Sequence, residues 1–232
     1  MDGAELITAA RAQGRTALDE VAGKQLLANF GVAVPTSVVV RNADAVAGVI
    51  ATLKPPLAVK VMSADILHKS DAGGVQIGLR NAVEIAQAIT VMASLSSIKA
   101  ARVDGYLIEE MAPAGQEVVV GAVRDPDFGP MVMVGLGGIF VEVLADVAFR
   151  ICPITRLDAV EMLAELKGAA ILDGARGRQP IAREAIIDVL LKIGGEKGLL
   201  MRHANDFKEA DINPLIVSQT GAVAVDARFV LA

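Results

Sequence analysis

The stretch that most constrains this chain runs from Leu57 to Val75. It opens on an apolar run, Leu57-Ala58-Val59, broken by one lysine, Lys60, before Val61 and Met62. A polar loop follows, His68-Lys69-Ser70-Asp71-Ala72-Gly73-Gly74, and apolar alternation resumes at Val75. A lysine inside an apolar strand is costly unless it meets an anion. A loop with two glycines, a hydroxyl and a second lysine can turn backbone N–H groups toward phosphate. Together they point to a phosphate-handling site between two strands. The plainer alternatives are a strand lysine whose head escapes to solvent and an ordinary surface loop.

The chain has 232 residues, enough for one large domain or two small lobes. With 53% hydrophobic and 21% charged residues it can build a sizeable core, and with 3% aromatics and no Trp that core must be aliphatic. A net charge of −5 without a run of Lys or Arg excludes the basic stripe of a nucleic-acid surface. It leaves room for a small anionic ligand held by local cations and helix N-termini. A single cysteine, Cys152, rules out a disulfide within the chain and points to a reducing compartment. The opening residues lack a signal-peptide pattern, and no stretch reaches the roughly 18 apolar residues of a membrane span. The expectation is a cytoplasmic protein without a membrane or nucleic-acid partner.

Helix and strand signals alternate along the chain. Residues 1–15 carry no committed core pattern. Leu18, Val21, Ala22, Leu26, Leu27 and Phe30 fall at helical spacing, with Gly31 as a stop. Strands are expected at 37–40, 57–62, 75–80, 105–111, 117–124 and 131–134. Helices are expected from Asn42 to about Leu53, from Asn81 to about Lys99, from Thr155 to about Lys167 and from Ala182 to about Met201. The chain closes on a hairpin, Phe207–Val217 and Ala222–Val230, around Ser218-Gln219-Thr220-Gly221. Such mixing favours an α+β or mixed α/β architecture over a doubly wound parallel sheet.

Three further constellations bear on chemistry. Glu209, Asp211 and Asn213 alternate along one strand and so share a face, while Asp226 lies on the returning strand. Pairing across the hairpin can bring Asn213 and Asp226 together, and oxygen ligands of this kind suit Mg²⁺. Glu109-Glu110-Met111, with Glu117 beyond the next turn, can offer backbone groups to a base and a carboxylate to a ribose, although an exposed acidic strand end reads the same way. His68 beside the glycine loop can accept a phosphoryl group on a ring nitrogen. Gly135-Leu136-Gly137-Gly138 fails as a dinucleotide fingerprint because Phe140 stands in place of the third glycine, and there is no P-loop motif. Cys152 and His203 read as structural.

The order Ala22-Gly23-Lys24-Gln25-Leu26-Leu27, Val59-Lys60-Val61, His68 to Val75, Glu109-Glu110-Met111, Phe128-Gly129-Pro130, Gly135 to Gly138 and Asp211-Ile212-Asn213-Pro214-Leu215 resembles the ATP-grasp portion of NDP-forming acyl-CoA synthetases. It is most similar to the β subunit of ADP-forming acetate–CoA ligase, a relative of the succinyl-CoA synthetase β subunit. The resemblance covers about residues 17 to 232. It implies a single two-lobed ATP-grasp domain over 1–232, with mixed and antiparallel sheets flanked by helices. The small lobe would span about 35–107, and the large one 108–232 with the helix at 17–34. It further implies that Lys60 holds nucleotide phosphates and that Ser70 with the Gly73-Gly74 loop closes over them. Glu110 and Met111 would face adenine, with Glu117 on the ribose and Glu109 among the nucleotide-binding residues. Asn213 and Asp226 would ligate Mg²⁺, and His68 would relay phosphate. ATP/ADP and Mg²⁺ are the implied cofactors. Because the CoA-binding and ligase domains have no counterpart here, a separate CoA-binding α subunit and a hetero-oligomer are expected. A carboxylate–amine ligase and a non-catalytic nucleotide-binding regulatory subunit are the rival readings.

Overall fold

Two separate antiparallel sheets organise the chain, which divides into a unit formed by Met1–Val34 with Pro113–Ala232 and a unit formed by Pro35–Ala112. The computed structural model describes residues 1–66, 68–138, 141, 144–174 and 180–232. Phe140 and positions 175–179 of the polar loop after Asp173 lie outside them.

The smaller unit holds β2 (Ser37–Val40), β3 (Leu57–Met62), β4 (Val75–Leu79) and β5 (Gly105–Glu110) in the order β2-β5-β3-β4. Helix α3 (Ala82–Ser94), followed by the short α4 (Ser96–Lys99), packs on one face through Ile85, Ala88, Ile89 and Met92, a spacing that puts all four on one stripe. Asn81 starts this helix by accepting the Glu84 N–H at 3.0 Å. Leu57, Val59 and Val61 of β3, with Tyr106 and Ile108 of β5, complete that core. Pleating sends Ala58, Lys60, Leu107 and Glu109 to the other face. The sequence expectation placed the lobe boundary at 107/108. The contact pattern places it at Ala112/Pro113, with β5 paired to β3 from Gly105 to Glu110 and to β2 from Tyr106 to Glu109.

The larger unit holds β1 (Ala17–Leu18), β6 (Gln116–Asp125), β7 (Gly129–Leu136), β8 (Val147–Ile151), β9 (Phe207–Val217), β10 (Ala222–Ala224) and β11 (Arg228–Leu231). Their order is β1-β11-β9-β6-β7-β8, with β10 also on β9. Core residues alternate on one sheet face: Val118, Val120 and Ala122, then Val132, Val134 and Leu136, then Ala210, Ile212, Leu215 and Val217. Helices α1 (Gly3–Ala12), α2 (Glu20–Asn29), α5 (Arg156–Glu165) and α6 (Arg183–Gly194) contribute buried residues to this core. The β6–β7 turn is built as its residues dictate: Asp125 accepts the N–H groups of Asp127 and Phe128 at 2.8 and 2.9 Å, and Gly129 takes a φ of +76°.

Four local readings change. Residues 1–15 do hold a helix, α1, started by a reciprocal capping box between Asp2 and Glu5 and buried through Leu6, Ile7 and Ala10. The expected helix from Asn42 is two 3₁₀ segments, Ala43–Gly48 and Ile50–Thr52. The long helix expected to reach Met201 stops at Gly194 and restarts as α7 (Leu199–Arg202), because Gly195 leaves the helical conformation. Strand β8 carried no sequence signal that we used. Among the described residues, no helix is long and apolar enough to cross a membrane.

Candidate functional site

Lys60 and Glu109 form the centre of the smaller unit's second sheet face. Ala58 pairs with Glu109 and Lys60 with Leu107, so Lys60 and Glu109 are diagonal neighbours on adjacent strands. Lys60 Nζ lies 2.7 Å from Glu109 Oε1, and the two side chains are only 7% and 1% exposed. The anion that Lys60 needs is therefore supplied first by the protein. Glu109, expected among the nucleotide-binding residues, is the buried counter-ion of Lys60, because its strand position aims it along the sheet toward the ammonium.

The adjoining carboxylate also has a structural partner. Glu110 Oε1 accepts the Lys54 N–H at 2.9 Å. Met111 donates its N–H to Pro56 O at 3.1 Å, and its Sδ lies 3.3 Å from the Gly78 N of a bulge in β4. Of this trio Met111 keeps an accessible side chain, 38% exposed.

The loop after β3 is a closed turn. Ala72 donates to His68 O at 3.2 Å, Gly73 to Ser70 O at 3.1 Å and Gly74 to Lys69 O at 2.7 Å. The amides of the two glycines are thus directed inward to the loop's own carbonyls, not outward toward an anion. The glycines serve fit instead: a Cβ on Gly74 would stand 2.4 Å from Val61 Cγ1, and one on Gly73 2.7 Å from Leu95 Cδ1. His68 and Ser70 are exposed on this turn.

Asn213 and Asp226 belong to the larger unit. Strand β9 pairs Leu215 with Ala224 of β10 and Asp211 with Arg228 of β11, in one continuous register. Residues 225–227 interrupt the returning strand, and that register sets Asn213 opposite Asp226 across the interruption. On β9's other side, Val118 pairs with Leu215 but Val120 with Ile212. One extra β9 residue therefore faces Val119, a bulge at Asn213-Pro214 where Pro214 has no N–H to give the ladder. Bulge and break coincide, and both free this point of the sheet from regular pairing.

Asp211 adds a charge to the same face. Burial pushes its carboxyl above the ordinary range, and Asp226 and Glu209 push it further, against the opposing pull of Arg228. Sequence alternation placed Asp211 beside Asn213, but not its crowding by Asp226. The excess negative charge here fits a cation. Among the described residues no three His, Cys, Asp or Glu side chains gather into a metal cage. An amide oxygen and one or two carboxylates are a donor set suited to Mg²⁺, which keeps waters and takes phosphate oxygens. Glu117 is exposed near the start of β6, with its carbonyl accepting the Gly137 N–H at 2.8 Å. Asp146, a buried carboxylate that sequence reading passed over, accepts the N–H groups of Lys167 and Gly168 at 2.7 and 2.8 Å and so ends α5.

Comparison with known proteins identifies the family. Residues 9–231 match the ATP-grasp domain. The chain is 44% identical over 229 residues to the Acetate–CoA ligase [ADP-forming] I subunit beta of Pyrococcus furiosus, covering 98% of this chain and 97% of that one. In Acetate–CoA ligase [ADP-forming] I of Archaeoglobus fulgidus, 40% identical over 210 residues, the matching stretch is 30% of a longer chain. Among solved structures, the dinucleotide-forming acetyl-coenzyme A synthetase 1 of Ca. Korarchaeum cryptofilum, bound to coenzyme A and Ca-AMPCP, superposes with a TM-score of 0.91 at 35% identity, over 98% of this chain and 99% of that one. Another structure of that enzyme holds coenzyme A and Mg-AMPPCP, with its phosphohistidine segment pointing towards the nucleotide-binding site; its TM-score is 0.84 at 34% identity, over 99% of this chain and 100% of that one. The chain belongs to the ATP-grasp family, and within it to the β subunits of ADP-forming acetate–CoA ligases.

Proposed function

We propose that this chain is the nucleotide-handling subunit of an ADP-forming acyl-CoA synthetase, moving a phosphoryl group between ATP/ADP and a histidine. The observation that carries the reading is the opposition of Asn213 and Asp226 beside the charge-crowded Asp211, in a chain whose relatives are β subunits of such ligases. Asn213 and Asp226 would hold Mg²⁺, which when bound neutralises charge on the nucleotide's phosphate oxygens. Lys60, fixed by Glu109, presents a cation to the phosphates. Met111 offers apolar contact to the base, and Glu117 a carboxylate to the ribose. Ser70 and the Gly73-Gly74 turn keep His68 in place.

His68 is an exposed imidazole, suited to accept phosphate in one place and release it in another. In its neutral form one ring nitrogen attacks the γ-phosphorus. The bond from that phosphorus to the β,γ-bridging oxygen breaks, a phosphorus–nitrogen bond forms, and ADP leaves. The full reaction, acid + ATP + CoA to acyl-CoA + ADP + phosphate, then needs a CoA-binding chain that receives the phosphoryl group. Relatives that carry this stretch within a longer chain are consistent with such a partner.

The test is phosphoryl transfer itself. The chain is incubated with γ-labelled ATP and Mg²⁺, alone and with a CoA-binding α subunit. Acid-labile label on His68, lost in His68→Ala together with acyl-CoA formation, is the expected result. Absence of label under both conditions, with synthesis unchanged in His68→Ala, removes His68 from the reaction.

A further inference from the structure

Asp226 lies in the gap between β10 and β11, and the N-terminal part of the same unit holds that gap at both ends. At one end, Ala224 donates its N–H to Ala33 O at 2.8 Å. At the other, α2 lies with Gly23 directly against residue 227. A Cβ at position 23 would stand 2.9 Å from Ala227 O and 3.3 Å from Phe229 Cδ2. Glycine inside a helix is unfavourable relative to alanine, and a backbone approach this close gives it a physical reason here.

Val225 donates to Pro214 O at 3.0 Å, but β10 ends at Ala224 and β11 begins at Arg228. Helix α2, by contrast, is firmly seated. Leu26 and Leu27 are fully buried, and Lys24 Nζ pairs with Glu20 Oε1 at 2.8 Å with both side chains under 5% exposed. Ala227 also donates its N–H to Asp226 Oδ1 at 2.8 Å, so a shift of residue 227 carries the carboxylate's own partner with it.

We propose that α2 is a positioning element for the metal site: Gly23, by letting the helix rest on Ala227, sets where the Asp226 carboxylate stands relative to Asn213. This rests on the reading of Asn213 and Asp226 as Mg²⁺ ligands. Gly23 touches neither nucleotide nor metal; it acts through the backbone of the gap. Outer partners of metal ligands typically change metal affinity by about 10- to 100-fold when altered.

The experiment uses the full chain as wild type, Gly23→Ala and Asp226→Ala. ADP affinity is measured by calorimetry across a Mg²⁺ titration and again in EDTA, with thermal unfolding alongside. Gly23→Ala is expected to raise the half-saturating Mg²⁺ concentration roughly 10-fold while leaving metal-free ADP affinity unchanged. A lower Tm without that rise, or an equal loss with and without Mg²⁺, overturns the inference. If Asp226→Ala moves the Mg²⁺ requirement and Gly23→Ala does not, the positioning role falls and the metal site stands. If neither moves it, both fall. Should Gly23→Ala fail to fold, the wild type decides. A metal seated on Asp226 must, by reciprocity, hold the gap that positions it. Exchange of the Ala224 N–H is then slower in Mg·ADP than in ADP with EDTA, and equal rates overturn the inference.

Discussion

Lys60 Nζ stands 2.7 Å from Glu109 Oε1 on the sheet face that α3 does not cover, with both side chains almost wholly enclosed. Removing one member of such a pair strands a buried charge and costs about 3–5 kcal/mol, whereas replacing both with apolar groups of like volume is often neutral. Lys60→Met is therefore expected to lose stability in urea unfolding, and Lys60→Met with Glu109→Leu to regain most of it. Labelling of His68 should stay abolished in both. Recovery of phosphoryl transfer in the double variant would make Lys60 purely structural.

Asn213 and Asp226 face each other across a bulge and a strand break, so as ligands of one ion their losses should not add. Each alanine variant is expected to raise the Mg²⁺ needed for ADP binding. The double variant should fall short of the sum by about 0.5–3 kcal/mol, as for groups that share a partner. Additive losses in a calorimetric double-mutant cycle would place them at separate sites.

Asp211 gives a pH dependence of stated sign. Its carboxyl is raised above 3.8 by burial, by Asp226 and by Glu209. A carboxyl with a raised folded-state value favours the fold while protonated. That contribution is fully present below 3.8 and is lost as pH rises through the raised value. In EDTA, Asp211→Asn should flatten the decline of stability over that window and leave the variant more stable than the parent at neutral pH. Mg²⁺ with ADP should narrow the difference. Parallel curves for parent and variant would show that the acid does not sense its neighbours.

Cys152 should be chemically silent. Burial pushes its thiol up to about 12, with a backbone hydrogen bond from Val132 opposing. Gly194 packs so closely that a Cβ there would stand 3.0 Å from Sγ. Since the thiolate is the reactive form, a disulfide reagent at mildly alkaline pH should leave the native chain unmodified and react with one thiol per chain in denaturant. Rapid native labelling would contradict this burial.

By itself, the sequence determined what depends on neighbours a few residues apart. The lysine-bearing strand, the glycine loop, the Asn81 cap, the Asp125 turn and the shared face of Glu209, Asp211 and Asn213 all follow from alternation, capping and turn chemistry. The motifs at Lys60, His68 to Gly74 and Asp211 to Leu215 also carried the family. Only the tertiary structure decided which distant groups meet. Glu109 became the partner of Lys60 because β5 lies beside β3 in a register that no local pattern encodes. The glycine amides turned into their own loop, and Val61 and Leu95 leave no room for side chains there. The hairpin pattern already allowed Asp226 to come opposite Asn213, but not the strand break at that point, and Gly23 came to rest on Ala227 because α2 packs across it. Periodicity fixes which face a side chain takes. Register and close packing, summed over strands far apart in the chain, fix what it finds there.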